Sequence, residues 1–301
     1  MNKKSNFNGI LLLDKPVGLT SNEALQTVKK LFRAAKVGHT GSLDPIASGM
    51  LPLCFGEATK FSQFLLEADK EYLVTGKLGE VTSSGDSETA VTKTREVKEV
   101  SIKDFELVLS KFRGKISQIP PMYSAIKHKG QPLYKLARQG IEIVRSPREL
   151  NIHKLQLVGF NNDLVEFAVH CSKGTYVRTL VADIGEVLGC GAHVVALRRL
   201  AVGHYQASQM VSLSKLQELA AKNAYDELIR FLLPIETMLA SMPELTLTAD
   251  MVHYASSGQP IFISNTPNVS WVKLKNKDGK FLGVGEVMSD GKVAPKRIIH
   301  F

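Results

Sequence analysis

Apolar and polar positions along the chain fall into short segments of two different periods. Gly9 to Leu13 is a compact apolar run closed by Asp14-Lys15-Pro16, which predicts a buried strand entering a turn. Thr20 and Glu23 have the spacing of a capping box. Leu25, Val28, Leu31, Phe32 and Ala35 then recur at helical spacing, with Lys29, Lys30, Arg33 and Lys36 on the remaining face. Tyr72, Val74, Gly76 and Leu78 alternate like a half-buried strand, and Ile102, Phe105, Leu109 and Phe112 repeat as a helix behind a Ser101 cap. Segments 151 to 160 and 163 to 172 read as a hairpin about Asn161-Asn162, and Val177 to Leu188 and Ser212 to Lys222 as helices. Strands and helices mix irregularly, so the expected class is α+β rather than a regular βαβ repeat.

After a helical stretch ending near Leu233, two prolines give way to a short, glycine-dotted, strand-rich tail. A domain boundary is expected near Met242, giving a large domain over residues 1–242 and a small one over 243–301, consistent with a chain of 301 residues. Gly258, Gly279, Gly283, Gly285 and Gly291 between apolar pairs suit a small β-barrel of short strands. No internal repeat or low-complexity tract occurs.

Charge sharpens this picture. The chain carries a formal charge of +9, which favours a polyanionic partner. From Lys111 to Arg148 there are nine basic residues, among them Lys127, Lys129 and Arg138, against the single acid Glu142. Tyr123, His128 and Tyr134 are interleaved, and the glycines and prolines of this stretch imply a largely irregular insertion. Cations for phosphates and rings for unstacked bases are the ingredients of RNA-loop recognition, although a solvated basic loop has the same composition. The three cysteines are far apart, which supports neither a disulfide framework nor a zinc site and fits a reducing cytosol. The opening apolar run is too short for a signal peptide or membrane span. The eight histidines show no H-x-x-x-H or H-x-x-E-H spacing, so no metal or other cofactor is expected.

The segment Gly38-His39-Thr40-Gly41-Ser42-Leu43-Asp44-Pro45 places two glycines, a histidine and a carboxylate in a tight loop between helix-like stretches. On local sequence alone the pattern favours Asp44 as the N-cap of a helix opening at Pro45, with His39 an ordinary loop histidine. A phosphate-binding loop is excluded, because the lysine that G-x-x-x-x-G-K-[S/T] requires is missing.

The longer run GHTGSLDPIASGMLPLCFGEATKF closely resembles the catalytic-aspartate motif of the TruB pseudouridine synthases, which modify the T-loop uridine of transfer RNA. GILLLDKPVGLTS, KEYLVTGKLG, IPPMYSAIKHKGQPLYKLARQG, CSKGTYVRTLVADIG and ALRRLAVG resemble further blocks of that family in the same order. The likeness spans roughly residues 9 to 205, and more weakly the tail, which is similar to a PUA-type RNA-binding domain. The resemblance implies a mixed, mainly antiparallel catalytic domain with flanking helices, a basic RNA-gripping insertion at about 111–148, and a C-terminal PUA-like domain.

It also implies site residues. Asp44 matches the nucleophile, and Arg178 the arginine that keeps it ionised. Tyr72 and Tyr176 match positions around the target base, Leu197 a pocket-lining position, and His39 the residue that fills the RNA loop when the base flips out. Lys15 matches the first motif, with a supporting role for the active-site loop. Lys127, Lys129 and Arg138 belong to the RNA-gripping block. The implied activity is isomerisation of uridine 55 in the T loop to pseudouridine by a monomeric cytoplasmic enzyme that acts on the tRNA T arm without a protein partner. Two other readings stay open: an RNA-folding protein whose catalytic site is secondary, and a guide-RNA-dependent relative with partner proteins.

Overall fold

The structure is a computed structural model that describes residues 7–98 and 100–299; Lys3 and Lys4 of the chain's opening lie outside them. The first half runs β1 (Gly9–Lys15), α1 (Ser21–Leu31), β2 (Val37–His39), β3 (Ala47–Phe55), α2 (Ser62–Glu67), β4 (Lys70–Leu78), β5 (Glu80–Thr82), β6 (Val91–Thr94), α3 (Ile102–Ser110) and β7 (Gly114–Gln118). It continues through β8 (Lys127–His128), β9 (Gln131–Pro132), α4 (Leu133–Ala137), β10 (Arg148–Asn161), β11 (Leu164–Cys171), α5 (Val177–Leu188), β12 (Ala192–Val202), β13 (Val211–Ser212), α6 (Leu213–Ala221) and α7 (Tyr225–Arg230).

Nine of these strands form one sheet in the order β13-β1-β3-β12-β4-β11-β10-β7, with β2 paired to β3 off that path. Two neighbour pairs, β1 with β13 and β3 with β12, are parallel and the rest antiparallel, so the sheet is mixed and mainly antiparallel. The opening apolar run is continuous because β1 is buried on both faces. Leu11 and Leu13 join the large core beneath α1, α3, α5 and α6, while Ile10 and Leu12 join a second core on the opposite side. Asp14 and Lys15 extend the strand beyond the expected turn, pairing with Met50 and Gly49 of β3.

The expected helices form where the signals lay, except that α1 ends at Leu31, short of Ala35, where Arg33 takes a φ of 51°. Thr20 and Glu23 make a reciprocal capping box on α1, and Ser101 caps α3 by accepting from the Asp104 N–H. The β10–β11 hairpin turns at Asn162, whose φ of 55° suits asparagine. The loop around Asp44 behaves differently from its local reading. No helix opens at Pro45: the Ala47 N–H donates to the Asp44 carbonyl at 3.0 Å, and the chain turns directly into β3. Tertiary pairing on both edges of β3 overrides the Asp-Pro cap signal. The insertion is less irregular than its composition suggests, since β7 pairs with β10 and a small β8–β9 hairpin leads into α4.

The tail forms a second sheet from β14 (Glu244–Leu247), β15 (Ile261–Phe262), β16 (Trp271–Asn276), β17 (Phe281–Val287) and β18 (Lys292–Ile298), ordered β14-β16-β17-β18-β15. A helix, α8 (Ala249–Ser256), packs over it. It escaped the sequence reading because its buried residue is Ala255, which leaves no apolar stripe. Phe281, Val284 and Ile299 join the second core with Phe61, Leu65 and Met238, tying the two sheets together. Among the described residues no helix is long and apolar enough to cross a membrane.

Strands β3 and β12 approach so closely at Gly49 that an added Cβ would stand 2.2 Å from the Arg199 carbonyl oxygen, and its φ of +99° is itself unfavourable for an L side chain. Gly49→Ala is therefore expected to destabilise the fold by about 2–4 kcal/mol. Urea denaturation followed by circular dichroism measures this, and an unchanged midpoint would contradict the close packing.

Candidate active site

The loop between β2 and β3 carries Asp44 over the sheet, and the first turn of α5 carries Arg178 toward it. The Arg178 Nε lies 2.9 Å from Asp44 Oδ2, and its Nη2 donates to Asp44 Oδ1 at 3.3 Å, a two-pronged pairing. The other guanidinium donors are occupied too. Nη1 donates to the Ser84 carbonyl at 2.7 Å and lies 3.5 Å from Asp86 Oδ2, while Nη2 also donates to the Tyr123 carbonyl at 2.8 Å.

The Arg178 side chain is 7% exposed and that of Asp86 1%, whereas Asp44 retains 38% on the cleft side. Desolvation lifts the Asp44 carboxyl above the ordinary aspartate range, Arg178 pulls it back, and the charge of Asp86 pushes it up again. Asp44 is thus a carboxylate poised by opposing forces, accessible on one side and held on the other.

Two buried cations fix the loop that presents it. Lys15 donates from Nζ to the carbonyls of Pro16, at 2.9 Å, and Leu19, at 2.6 Å, which shapes the β1–α1 connection. That connection grips the Asp44 loop through the Gly18 N–H to the Pro45 carbonyl and through a reciprocal pair between the Ser21 hydroxyl and the Leu43 backbone. Burial lowers the Lys15 pKa to about 8, with Asp44 opposing the shift. From the other side Arg199, 1% exposed, donates to the carbonyls of Met50 at 2.6 Å, Gly41 at 3.2 Å and Ser42 at 3.5 Å. Glu88 adds a further hold, accepting from the Ile46 N–H at 3.1 Å.

The Asp44 loop, Arg178, Arg199 and Glu88 border a cleft of about 680 Å³. Of the residues singled out in the sequence, Asp44, His39, Tyr72, Tyr176, Arg178, Leu197 and Arg138 line it, as do the interleaved Tyr123 and Tyr134. Tyr72 comes from β4 and Leu197 from β12, neighbouring strands whose pairing sets Leu197 opposite Val74. Tyr176 precedes α5, and its backbone is clamped on both sides by the Gln118 amide. Burial raises the hydroxyl pKa of both tyrosines, so they stand as neutral phenols. His39 is pushed below the ordinary histidine value by burial and by the charge of Arg199, which keeps its ring neutral near pH 7. Lys15 lies behind the cleft, and Lys127 and Lys129 project from the β8–β9 hairpin, exposed and off its wall.

The functional residues that no sequence signal marked are Asp86, Glu88, Arg199 and Lys70, whereas Tyr123 was one of the rings interleaved in the basic insertion. Arg199 sat in a recognised block, ALRRLAVG, but an arginine in a strand gives no hint that it will be buried. Asp86 follows the polar stretch VTSSG, which resembles an ordinary surface turn. Lys70 closes one end of the cleft by donating to the carbonyls of Leu65, Leu66 and Ala68, and burial lowers its pKa to about 8. Asp44 and Asp86 are already committed to Arg178. Asp69, His153 and His170, which are grouped closely enough to hold a metal ion, do not line the cleft.

Three family descriptions match the chain in succession: TruB family pseudouridylate synthase (N terminal domain) over residues 29–177, tRNA pseudouridylate synthase B C-terminal domain over 178–240, and pseudouridine synthase II TruB, C-terminal, over 243–299. The chain is 54% identical over 297 residues to the tRNA pseudouridine synthase B of Coxiella burnetii, covering 99% of this chain and 96% of that protein. It is 52% identical over 293 residues to the protein of the same name from Nitrosococcus oceani, covering 97% and 95%. Among solved structures it is similar to a chain of an H/ACA RNP bound to a substrate RNA containing 2'-deoxyuridine, with a TM-score of 0.74 and 22% identity over 97% of this chain and 85% of that one. A chain of an archaeal box H/ACA sRNP matches with a TM-score of 0.73 and 23% identity over 97% and 86%. At these identities the two structures establish the shared fold.

Replacing Arg199 by Met keeps the volume but leaves buried carbonyls of the Asp44 loop without donors. Arg199→Met is expected to cost about 3–5 kcal/mol of stability. A denaturant midpoint equal to wild type would show that the loop does not depend on this side chain.

Proposed function

The chain belongs to the TruB family of pseudouridine synthases, and from that premise we propose that it isomerises uridine 55 in the T loop of transfer RNA, with Asp44 as the nucleophile. As a family member it is a tRNA pseudouridine synthase. The observation that carries the finer reading is the half-open Asp44 carboxylate gripped by Arg178 on the wall of an aromatic-lined cleft.

Pseudouridine formation breaks the bond from uracil N1 to ribose C1', joins C5 to C1', releases the C5 hydrogen as a proton and leaves a proton on N1, with no net redox change. A carboxylate can carry the covalent intermediate between the two bonds, provided that it is ionised when the substrate arrives. Arg178 serves that need, and its carbonyl partners keep it from following Asp44 toward the substrate. Tyr72 would stack on the uracil, with Tyr176 and Leu197 closing the pocket around it. A T-loop uridine reaches such a cleft by being flipped out, and His39 at the cleft wall would occupy the space it leaves.

The basic insertion, with Lys127 and Lys129 exposed and Arg138 beside the cleft, would grip the T arm directly, so the enzyme would act as a cytoplasmic monomer on bare transfer RNA. We divide the chain into a catalytic domain over residues 1–242 and a PUA-like RNA-binding domain over 243–301. The likeness to chains of H/ACA particles extends to the fold, whereas the full-length relatives at 52–54% identity are named as tRNA enzymes.

Purified protein incubated with a transfer RNA transcript carrying 5-tritiated uridine is expected to release tritium without added protein or guide RNA. Asp44→Asn is expected to lower that release by about 10⁴-fold or more while still binding the transcript. Full release by the variant would remove Asp44 from the chemistry, and no release by wild type would point to a partner-dependent enzyme.

The pH profile has a defined sign. Turnover requires ionised Asp44, so it falls as pH drops through the raised pKa of that group. Asp86 raises that pKa and Arg178 lowers it. Asp86→Asn is therefore expected to move the acid limb of single-turnover rates to lower pH, and Arg178→Met to move it to higher pH. Shifts in the same direction would refute this electrostatic scheme.

A further inference from the structure

On the solvent side of the sheet, apart from the cleft, β10, β11 and the residue preceding β4 bring His153, His170 and Asp69 together. We propose that these three side chains form a binding site for a divalent transition-metal ion of the zinc class, completed by water. The His153 Nε2 lies 3.1 Å from Asp69 Oδ2, the His170 Nε2 lies 4.0 Å from the same oxygen, and the ligand atoms of all three fall within 4.8 Å of one another. Tetrahedral ligands at ordinary zinc distances of about 2.0–2.1 Å stand roughly 3.3 Å apart, so small side-chain rotations bring the trio to bonding geometry. Two imidazoles and one carboxylate favour zinc, cobalt or nickel over magnesium or calcium, which take mostly oxygen ligands.

The backbone creates this arrangement by a specific irregularity. Ile152 pairs with Cys171 and Lys154 with His170, leaving His153 as the extra residue of a β-bulge. Without the bulge, strict alternation would place either His153 or Lys154 on the buried face. With it, both lie exposed in succession between buried Ile152 and Leu155. His153 is thereby turned beside His170, with ring centroids 4.8 Å apart. His170 sits on a strand paired along both edges, to β10 and to β4, and Asp69 is anchored by its carbonyl, which accepts from the Gly203 N–H at 2.8 Å.

A second layer is also present. The Asn151 amide nitrogen lies 2.9 Å from His153 Nδ1, the ring nitrogen facing away from Asp69. Without metal, Nε2–H donates to Asp69 while Nδ1 accepts from the amide. When Nε2 binds a metal the proton moves to Nδ1, and a half-turn of the Asn151 amide offers its oxygen as the acceptor. The location gives the ion a structural use. β10 begins at Arg148, where the basic insertion rejoins the sheet, and an ion at the bulge would pin that strand to β11 and to the start of β4.

The test uses the full chain without a histidine tag, treated with EDTA and dialysed. Isothermal titration with zinc chloride alone is expected to show one ion per chain, a higher melting temperature on binding, and at least tenfold weaker affinity for zinc than wild type in His153→Ala and in His170→Gln. Asn151→Ala is expected to weaken zinc binding less than either. His153 is solvent-exposed and outside the cleft, so tritium release by His153→Ala in EDTA should match wild type and certify its fold. Absence of saturable zinc binding would overturn the proposal. So would unchanged affinity in both histidine variants, or equal affinity for magnesium.

Discussion

The pairing of Asp44 with Arg178 is the interaction around which the rest of the catalytic half is arranged. A carboxylate drawn out of water tends to take up a proton, and the arginine opposes that tendency without ever losing its own charge. Burying the arginine raises the same difficulty again, and the fold answers it with backbone carbonyls from Ser84 and Tyr123 and with the Asp86 carboxylate. Four separate stretches of chain therefore converge on one guanidinium: the β2–β3 loop, the β5–β6 connection, the insertion and the start of α5. Displacing any of them disturbs the charge state of Asp44.

Carbonyl groups meeting buried cations recur around the cleft. Lys15, Lys70 and Arg199 each point inward and donate to backbone carbonyls rather than to a carboxylate. A cation bonded to carbonyls fixes loop conformation while leaving its positive potential available to the cleft, which suits a polyanionic ligand. The depressed pKa values of Lys15 and Lys70, both about 8, show how strongly burial acts against these charges. Strands β4 and β12 supply the rigid floor beneath this ring of cations, so Tyr72 and Leu197 are set by sheet register rather than by loop flexibility.

The sheet works on both faces at the β1–β3 edge. One face joins the helices in the large core, and the other joins residues of the C-terminal sheet, so the tail is mechanically continuous with the strands flanking the Asp44 loop. At the opposite edge, β10 receives the basic insertion and carries the bulge that turns His153 toward His170 and Asp69. The metal site proposed there would stiffen the strand at which the insertion rejoins the sheet.

Local physics made much of this legible from the sequence. Periodicity and capping chemistry marked α1, α3, α5 and the β10–β11 hairpin because each depends on residues within a few positions of one another. The run of motifs made Asp44, Arg178, Tyr72 and Tyr176 stand out by resemblance, without saying how they meet. Local signals failed where long-range pairing prevailed: Asp44-Pro45 reads as a helix cap, yet β3 follows, held along both edges by strands distant in sequence. Tertiary structure alone decided that Arg199 would be buried against the Asp44 loop, that Asp86 would share Arg178, and that a one-residue bulge would bring His153 beside His170. Hydrophobic period and caps are written in neighbouring residues, whereas a charge's partners depend on which distant segments the closed sheet brings within a few ångströms.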